Sequence, residues 1–312
     1  MQEFTINGRN ITLVQGGELS LADLPDGAVA LDGAVQSPVL GDDRDRWSFD
    51  HHSGCSRLVT AATCEQVQRA LLLGFDSTGR DIYVNDLDAD TLLSLWLLVT
   101  PAVAGNESTT LLIRAVGTID AHGPAGNRLL SPQEQAIWRS FFSRFKDVLP
   151  RDAQAAFADW ETLIREGLSE LPLFLNNILD IEPTPAEPFE VHEVYLSDDN
   201  RMVMAKCDSF GGFESLYNEG FRVVCLVAKA ADGSLRYTIG KVSDLVSYRL
   251  GPHNDSGSLL GRLNAREPGW GGGSSIGGSP RLNGGVSSRL SLLEVWDLMV
   301  EVYREKKVMP CC

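Results

Sequence analysis

The sequence is short of long apolar runs, positive charge, histidine and paired cysteines, and each shortage closes off a class of protein. The most apolar stretch, Leu92 to Val99, stops at Thr100-Pro101. A membrane-spanning helix needs ~20 apolar residues, so no membrane partner is expected. Lys and Arg number 27 against 42 Asp and Glu, a net charge of -15 over 312 residues. A long phosphate backbone requires compensating cations along its track, so no long nucleic acid is expected either. A small anion remains compatible where a metal or local amides neutralise it. The cysteines Cys55, Cys64, Cys207 and Cys225 show no CxxC spacing, which excludes a disulfide framework. Cys311 and Cys312 end the chain beside only Lys306-Lys307, and read as a free tail rather than a lipid anchor. The start, MQEFTINGRN, has neither the basic nor the apolar region of a secretion signal. A reduced, cytoplasmic protein is expected.

What is present is an alternation of short strands and helices. Asn10 to Val14, Ala28 to Leu31 and Asp81 to Val84 read as strands; Thr60 to Leu73 and Thr91 to Val99 read as helices. That alternation predicts a parallel sheet. A helical connector is expected over 131–180. Ser131-Pro132 with Glu134 forms a capping box with proline at the first helical position. Phe157, Trp160, Leu163, Ile164 and Leu168 recur at helical spacing, as packing residues do. Three prolines between Glu182 and Pro188 mark a junction. Beyond it, Met202 to Lys206, Phe221 to Ala228 and Leu235 to Ile239 read as strands, with Asp232-Gly233 as a hairpin turn. Leu259 to Leu263 reads as a helix, and Ser291 with Glu294 caps another over about 291–305. The fold class is therefore α/β: a parallel-sheet N-terminal domain over 1–182, including the connector, and a smaller α+β domain over 189–312.

Only five histidines occur, and two stand together behind an aspartate in Asp50-His51-His52. Further acids follow apparent strand ends: Asp32, the set Asp86, Asp88 and Asp90, and Asp120 after Val116-Gly-Thr-Ile119. Open α/β sheets bind ligands at the carboxyl ends of their strands. Carboxylates and imidazole suit Mn2+-like ions. Two such ions ~3.5–4 Å apart can bind a phosphoryl group and activate a water. The competing account of any one acid is a turn former or helix cap, and one of Asp86, Asp88 and Asp90 is expected to cap the helix that follows. The segment Gly269 to Arg281 offers Gly271, Gly272, Gly273, Gly277 and Gly278 as a backbone anion nest, with Ser274, Ser275, Ser279 and Arg281 as added donors. Its competing account is a loop without a ligand. His122, beside Asp120, reads either as a general acid or as a surface residue. His192 is expected on a strand surface and His253 in a turn. Cys55 and Cys64 read as packing residues.

Phe49-Asp50-His51-His52 resembles the signature of the DHH phosphoesterase superfamily, and Asp88-Ala-Asp90-Thr-Leu-Leu-Ser94 is similar to its D-x-D-x-x-x-S segment. The glycine segment is similar to that of the associated DHHA1-type substrate domain. The resemblance implies two bound ions, with Mn2+ the expected metal. Asp32 would bridge them. His51, Asp88, Asp90 and Asp120 would be terminal ligands, with Asp86 as a substitute ligand. Asp50, His52 and His122 would serve the chemistry, and residues 271–281 would hold the substrate phosphate. Three departures stand out. The D-x-D segment follows the DHH signature instead of preceding it. Val84 stands where the family has a histidine. The glycine segment lacks histidine. The resulting expectation is hydrolysis of a nucleotide, dinucleotide or short oligonucleotide by a metal-activated hydroxide. The alternative is a catalytically degenerate protein that binds nucleotide or phosphate. The expected partner is a small phosphorylated substrate, and a homodimer is compatible.

Overall fold

The computed structural model describes residues 1–14, 19–35, 40–52, 54–56, 58–149, 159–183, 190–207, 209, 211–229, 233–282 and 285–305, with backbone alone at 193, 281, 282, 285 and 286. Phe157, Asp232, Cys311, Cys312 and most of the proline-rich junction lie outside these residues. The chain is mixed α/β and divides into two units: Met1–Ala121 with Arg128–Pro185, and His122–Asn127 with Ala186–Cys312. No described helix is long and apolar enough to cross a membrane.

The first unit contains β1 (Gln2–Ile6), β2 (Arg9–Leu13), β3 (Val29–Leu31), β4 (Trp47–Phe49), α1 (Thr63–Leu72), β5 (Ile82–Val84), α2 (Ala89–Val99), α3 (Glu107–His122, whose last residue falls to the second unit), α4 (Pro132–Phe145) and α5 (Trp160–Leu175). The sheet order is β1-β2-β5-β3-β4, with β2, β5, β3 and β4 parallel and β1 antiparallel at the edge. Both faces of the central strands are covered. Val29 and Leu31 enter the main core while Ala30 enters a smaller cluster with Ala28 and Ala34, the two-residue alternation of a pleated strand. Helix α2 is buried at every residue from Asp90 to Val99. A helix apolar all round belongs in the interior, and α2 accordingly sits in the main core with α4 and α5, through Ile137, Phe141, Phe145, Trp160 and Ile164.

The stretch ending at Asp120 is helical, where the sequence reading took a strand end. Thr109, Leu112, Ile113, Val116 and Ile119 are buried at three- and four-residue steps, the period of a helix face. Gly117 lets α3 lie close to α1: a Cβ there would stand 2.7 Å from Glu65 Cγ.

The second unit contains β6 (His192–Leu196), β7 (Met202–Lys206), α6 (Gly212–Asn218), β8 (Val223–Lys229), β9 (Leu235–Lys241), α7 (Leu259–Arg266), β10 (Gly271–Gly272), β11 (Ile276–Gly278), β12 (Arg281–Leu282), β13 (Gly285–Val286) and α8 (Leu292–Glu305). Six strands run in the order β10-β11-β9-β8-β7-β6, and only the β7–β8 pair is parallel. Met202 and Met204 face a core shared with α7 and α8; Val203 and Ala205 face another shared with α6.

Candidate metal centre

Strands β5, β3 and β4 are neighbours, and Val84, Leu31 and Phe49 stand in register at their carboxyl ends. The residues that follow each strand therefore emerge side by side: Asn85 onward, Asp32, and Asp50-His51-His52. Their order along the chain differs from their order in space, so a D-x-D segment downstream of the DHH signature still lies beside it. Helix α3 adds Asp120.

Asp32 occupies a tight turn closed by the Ala34 N–H donating to the Leu31 carbonyl at 3.1 Å. Asp32 and Gly33 are both left-handed, with φ of 50° and 79°, a conformation Asp tolerates and Gly favours. The turn buries the Asp32 carboxylate. The Thr63 hydroxyl donates to Oδ1 at 3.1 Å and the Thr91 hydroxyl to Oδ2 at 3.2 Å. Asp90 is clamped differently. The backbone N–H groups of Thr63 and Cys64 donate to its two oxygens, each at 2.7 Å. Helix α1 has no side-chain cap of its own, so a carboxylate from α2 fills that role and satisfies orphan first-turn amides.

His51 is fully buried. Its Nε2 lies 2.8 Å from Asp120 Oδ2, 3.4 Å from Asp32 Oδ1 and 3.7 Å from Asp90 Oδ2. Nε2 is thus paired with acids through charge, and Nδ1 is buried without a hydrogen-bond partner. His52 is different: its side chain is 42% exposed. Its Nδ1 lies 2.9 Å from Asp50 Oδ1, which also accepts the His52 backbone N–H at 3.0 Å. Asp50 Oδ2 is buried without a partner, and the Gln66 amide donates to the Asp50 carbonyl at 2.8 Å.

The protonation pattern follows from this crowding. Burial disfavours charge on Asp32, yet His51, His52 and the Thr63 hydroxyl hold its carboxyl at about 2. Burial disfavours the His51 cation, yet Asp120 and Asp32 hold it at about 10. Burial opposes a charged His52 too, and is outweighed by the Asp50 hydrogen bond and the Asp32 charge. Asp90 is pushed up to about 7 by burial, Asp120 and Asp32. Asp88 is pushed well above the carboxylate range by burial, Asp32, Asp120 and Asp90. Crowded carboxylates hold protons where a cation would otherwise balance them.

The two described groups with ligand-atom spacing are Asp32-His51-His52 and His51-Asp90-Asp120. The other residues singled out in the sequence take other places. Asp88 is the N-cap of α2, accepting the Thr91 N–H at 2.8 Å. Asp86 is exposed and accepts the Leu87 N–H at 2.7 Å. Val84 is fully buried in the core. Ser94 donates back to the Asp90 carbonyl at 2.7 Å. His122 closes α3, in neither group. His192 is exposed on β6, His253 is exposed in a turn, and Cys64 is buried in the core.

The glycine-rich segment is a hairpin. Gly271 and Gly272 pair with Gly278 and Gly277, and β11 extends the sheet from β9. The Gly273 N–H donates to the Ile276 carbonyl at 2.8 Å. Ser274 donates to Asp244 at 3.0 Å, the Ser275 carbonyl accepts the Lys241 N–H at 2.9 Å, and buried Ser279 accepts the Tyr237 N–H at 2.8 Å. Arg281 opens β12, and its side chain lies outside the described residues. Thr63 and Thr91 were not singled out in the sequence. Each reads there as an ordinary first-turn threonine, and only the fold brings both to Asp32.

No protein-family model matches the chain, and no curated protein matches it.

Proposed function

We propose that the first unit carries out metal-dependent phosphoester hydrolysis on a nucleotide, dinucleotide or short oligonucleotide, in the manner of the DHH phosphoesterases it resembles. One observation carries this reading: a fully buried imidazole turns a single nitrogen, Nε2, to three carboxylates, Asp32, Asp90 and Asp120. Gathering three carboxylates in the interior is costly without a balancing cation, and a ligated ion would supply that charge. The donor set of one imidazole and three carboxylates fits a Mn2+-like ion. Such an ion supplies Lewis acidity and a nucleophilic water near neutral pH.

The chain's own residues do the rest. Thr63, Thr91 and two backbone amides fix the carboxylates in place. Asp50 Oδ1 holds Nδ1 of His52, so the proton that His52 can give or take resides at Nε2. The exposed position of His52 suits contact with a substrate phosphate or leaving oxygen. The charge of -15 favours small anions over long strands. In this reading the parallel-sheet unit is the metal-site domain, and the second unit with its glycine hairpin serves the substrate.

The test is loading with Mn2+, desalting and elemental analysis, followed by a screen of small phosphoesters. Retained Mn2+ that is lost in Asp32→Asn, together with Mn2+-dependent cleavage, is the expected result. Retention without cleavage of any substrate turns the reading to a protein that only binds phosphate or nucleotide. No retention defeats the hydrolase and likewise turns the reading to a protein that only binds phosphate or nucleotide.

A further inference from the structure

We propose that the centre of the first unit is built for one divalent ion, held by Asp32, His51, Asp90 and Asp120, and that Asp88 is a helix cap and not a ligand. This rests on the metal-dependent reading above and sharpens it. The resemblance implies two ions; the residues present fit one.

The inventory of donors decides the matter. Every carboxylate near His51 is reached from the same nitrogen, Nε2. The two groups with ligand spacing both draw on His51, and one imidazole nitrogen binds one ion. The group with Asp90 and Asp120 has carboxylates from two helices, and Asp32 lies within 3.4 Å of the same nitrogen. Three carboxylates thus gather at one nitrogen of a fully buried ring.

Among the described residues a second ion finds no comparable set. Beside His52 it would have to break the 2.9 Å contact between Nδ1 and Asp50. Beside Asp88, the cap of α2, it would find no histidine at ligand spacing among the described residues. The position that could have supplied an imidazole there is Val84, packed in the core and paired in register with Leu13 and Leu31. Asp86, two residues on, is exposed and turned to its neighbour's amide. Asp88 feels the charges of Asp32, Asp90 and Asp120, but belongs to neither group with ligand spacing.

The experiment uses the full chain, stripped and reloaded with Mn2+ alone. Ions per chain are counted by elemental analysis, and the Mn2+ electron paramagnetic resonance spectrum is recorded. One ion per chain is expected, with the spectrum of an isolated centre and no exchange-coupled features. Asp88→Asn keeps a good cap, because Asn serves as well as Asp at that position. It should keep the single ion, with affinity changed by less than about tenfold, below the range typical of lost ligand support. Asp120→Asn should lose the ion.

Two ions per chain, or an exchange-coupled spectrum, would overturn the proposal. So would loss of the ion in Asp88→Asn. No bound ion overturns it together with the metal-dependent reading. Two ions with turnover would leave the hydrolase standing and remove only the single-ion centre. One ion without turnover would do the reverse.

Discussion

Thr63 and Thr91 each give one hydroxyl to one oxygen of Asp32. A carboxylate on a left-handed turn has rotational freedom that a ligand cannot afford, and the two donors remove it. Groups that orient a metal ligand contribute ~10–100-fold in affinity or activity. Thr91→Val keeps the branched shape and deletes the donor to Oδ2. It should weaken Mn2+ binding by about that factor while the far-ultraviolet circular dichroism stays unchanged. Calorimetric titration reads the effect directly, and unchanged affinity would show that Thr91 only fills space. Here the sequence was legible for the acids and histidine that the fold brings together, and silent about the groups that hold them. Asp32, His51 and Asp90 stand in recognisable patterns, but a threonine in a first helical turn looks the same with or without a carboxylate over it. Asp90 is a related case. It was read as a ligand or as a cap of its own helix, whereas its amide partners belong to α1.

At the scale of elements, period and caps were legible. The capping box at Ser131 is present with Pro132 at the first helical position, and β7 spans Met202–Lys206 as read. Two elements were less legible, for physical reasons. The α3 stretch contains β-branched residues and a glycine, which suggested a strand, but tertiary packing of its buried face against α1 decides for a helix. The glycine segment reads as an anion nest or as a loop without a ligand, and its hairpin pairing is not legible there; its glycines permit close backbone contact. A Cβ at Gly277 would stand 2.5 Å from Leu260 Cδ1 and 2.8 Å from the Gly271 carbonyl oxygen. At Gly271 it would meet nothing within 4 Å. Gly277→Ala should therefore cost ~1–3 kcal/mol through overpacking, and Gly271→Ala should stay within about 0.5 kcal/mol of the parent. Denaturant midpoints at constant slope separate the two. Equal effects would mean that the hairpin is not packed as described.

For the whole molecule, the instructive point is the difference between chain order and spatial order. The Asp88-to-Ser94 segment lies after Asp50-His51-His52 in sequence, yet β5 pairs with β3, and β3 with β4, so the two segments share one end of the sheet. A linear reading cannot show this, because strand adjacency is set by long-range pairing. The centre so assembled concentrates carboxylates in the interior, and its metal-free form holds protons: His51 at about 10 and Asp90 at about 7. A metal ligand must lose its proton. Mn2+ binding should therefore release protons and tighten as pH rises through about 7, the direction set by the Asp90 carboxyl. Binding at 100-fold over Kd stabilises the bound fold by ~2.7 kcal/mol, and each tenfold tightening adds ~1.4 kcal/mol. Each unit has its own core, so this stabilisation belongs to the first. Amide exchange compared with and without Mn2+ at each pH cancels intrinsic rates. Protection should appear in β3 and β5, grow between about pH 6 and pH 8 as the protons leave, and be absent from β7 and β8. Protection that shrinks with rising pH, or that spreads equally over both units, would show that the ion is not held by this cluster of acids and imidazole.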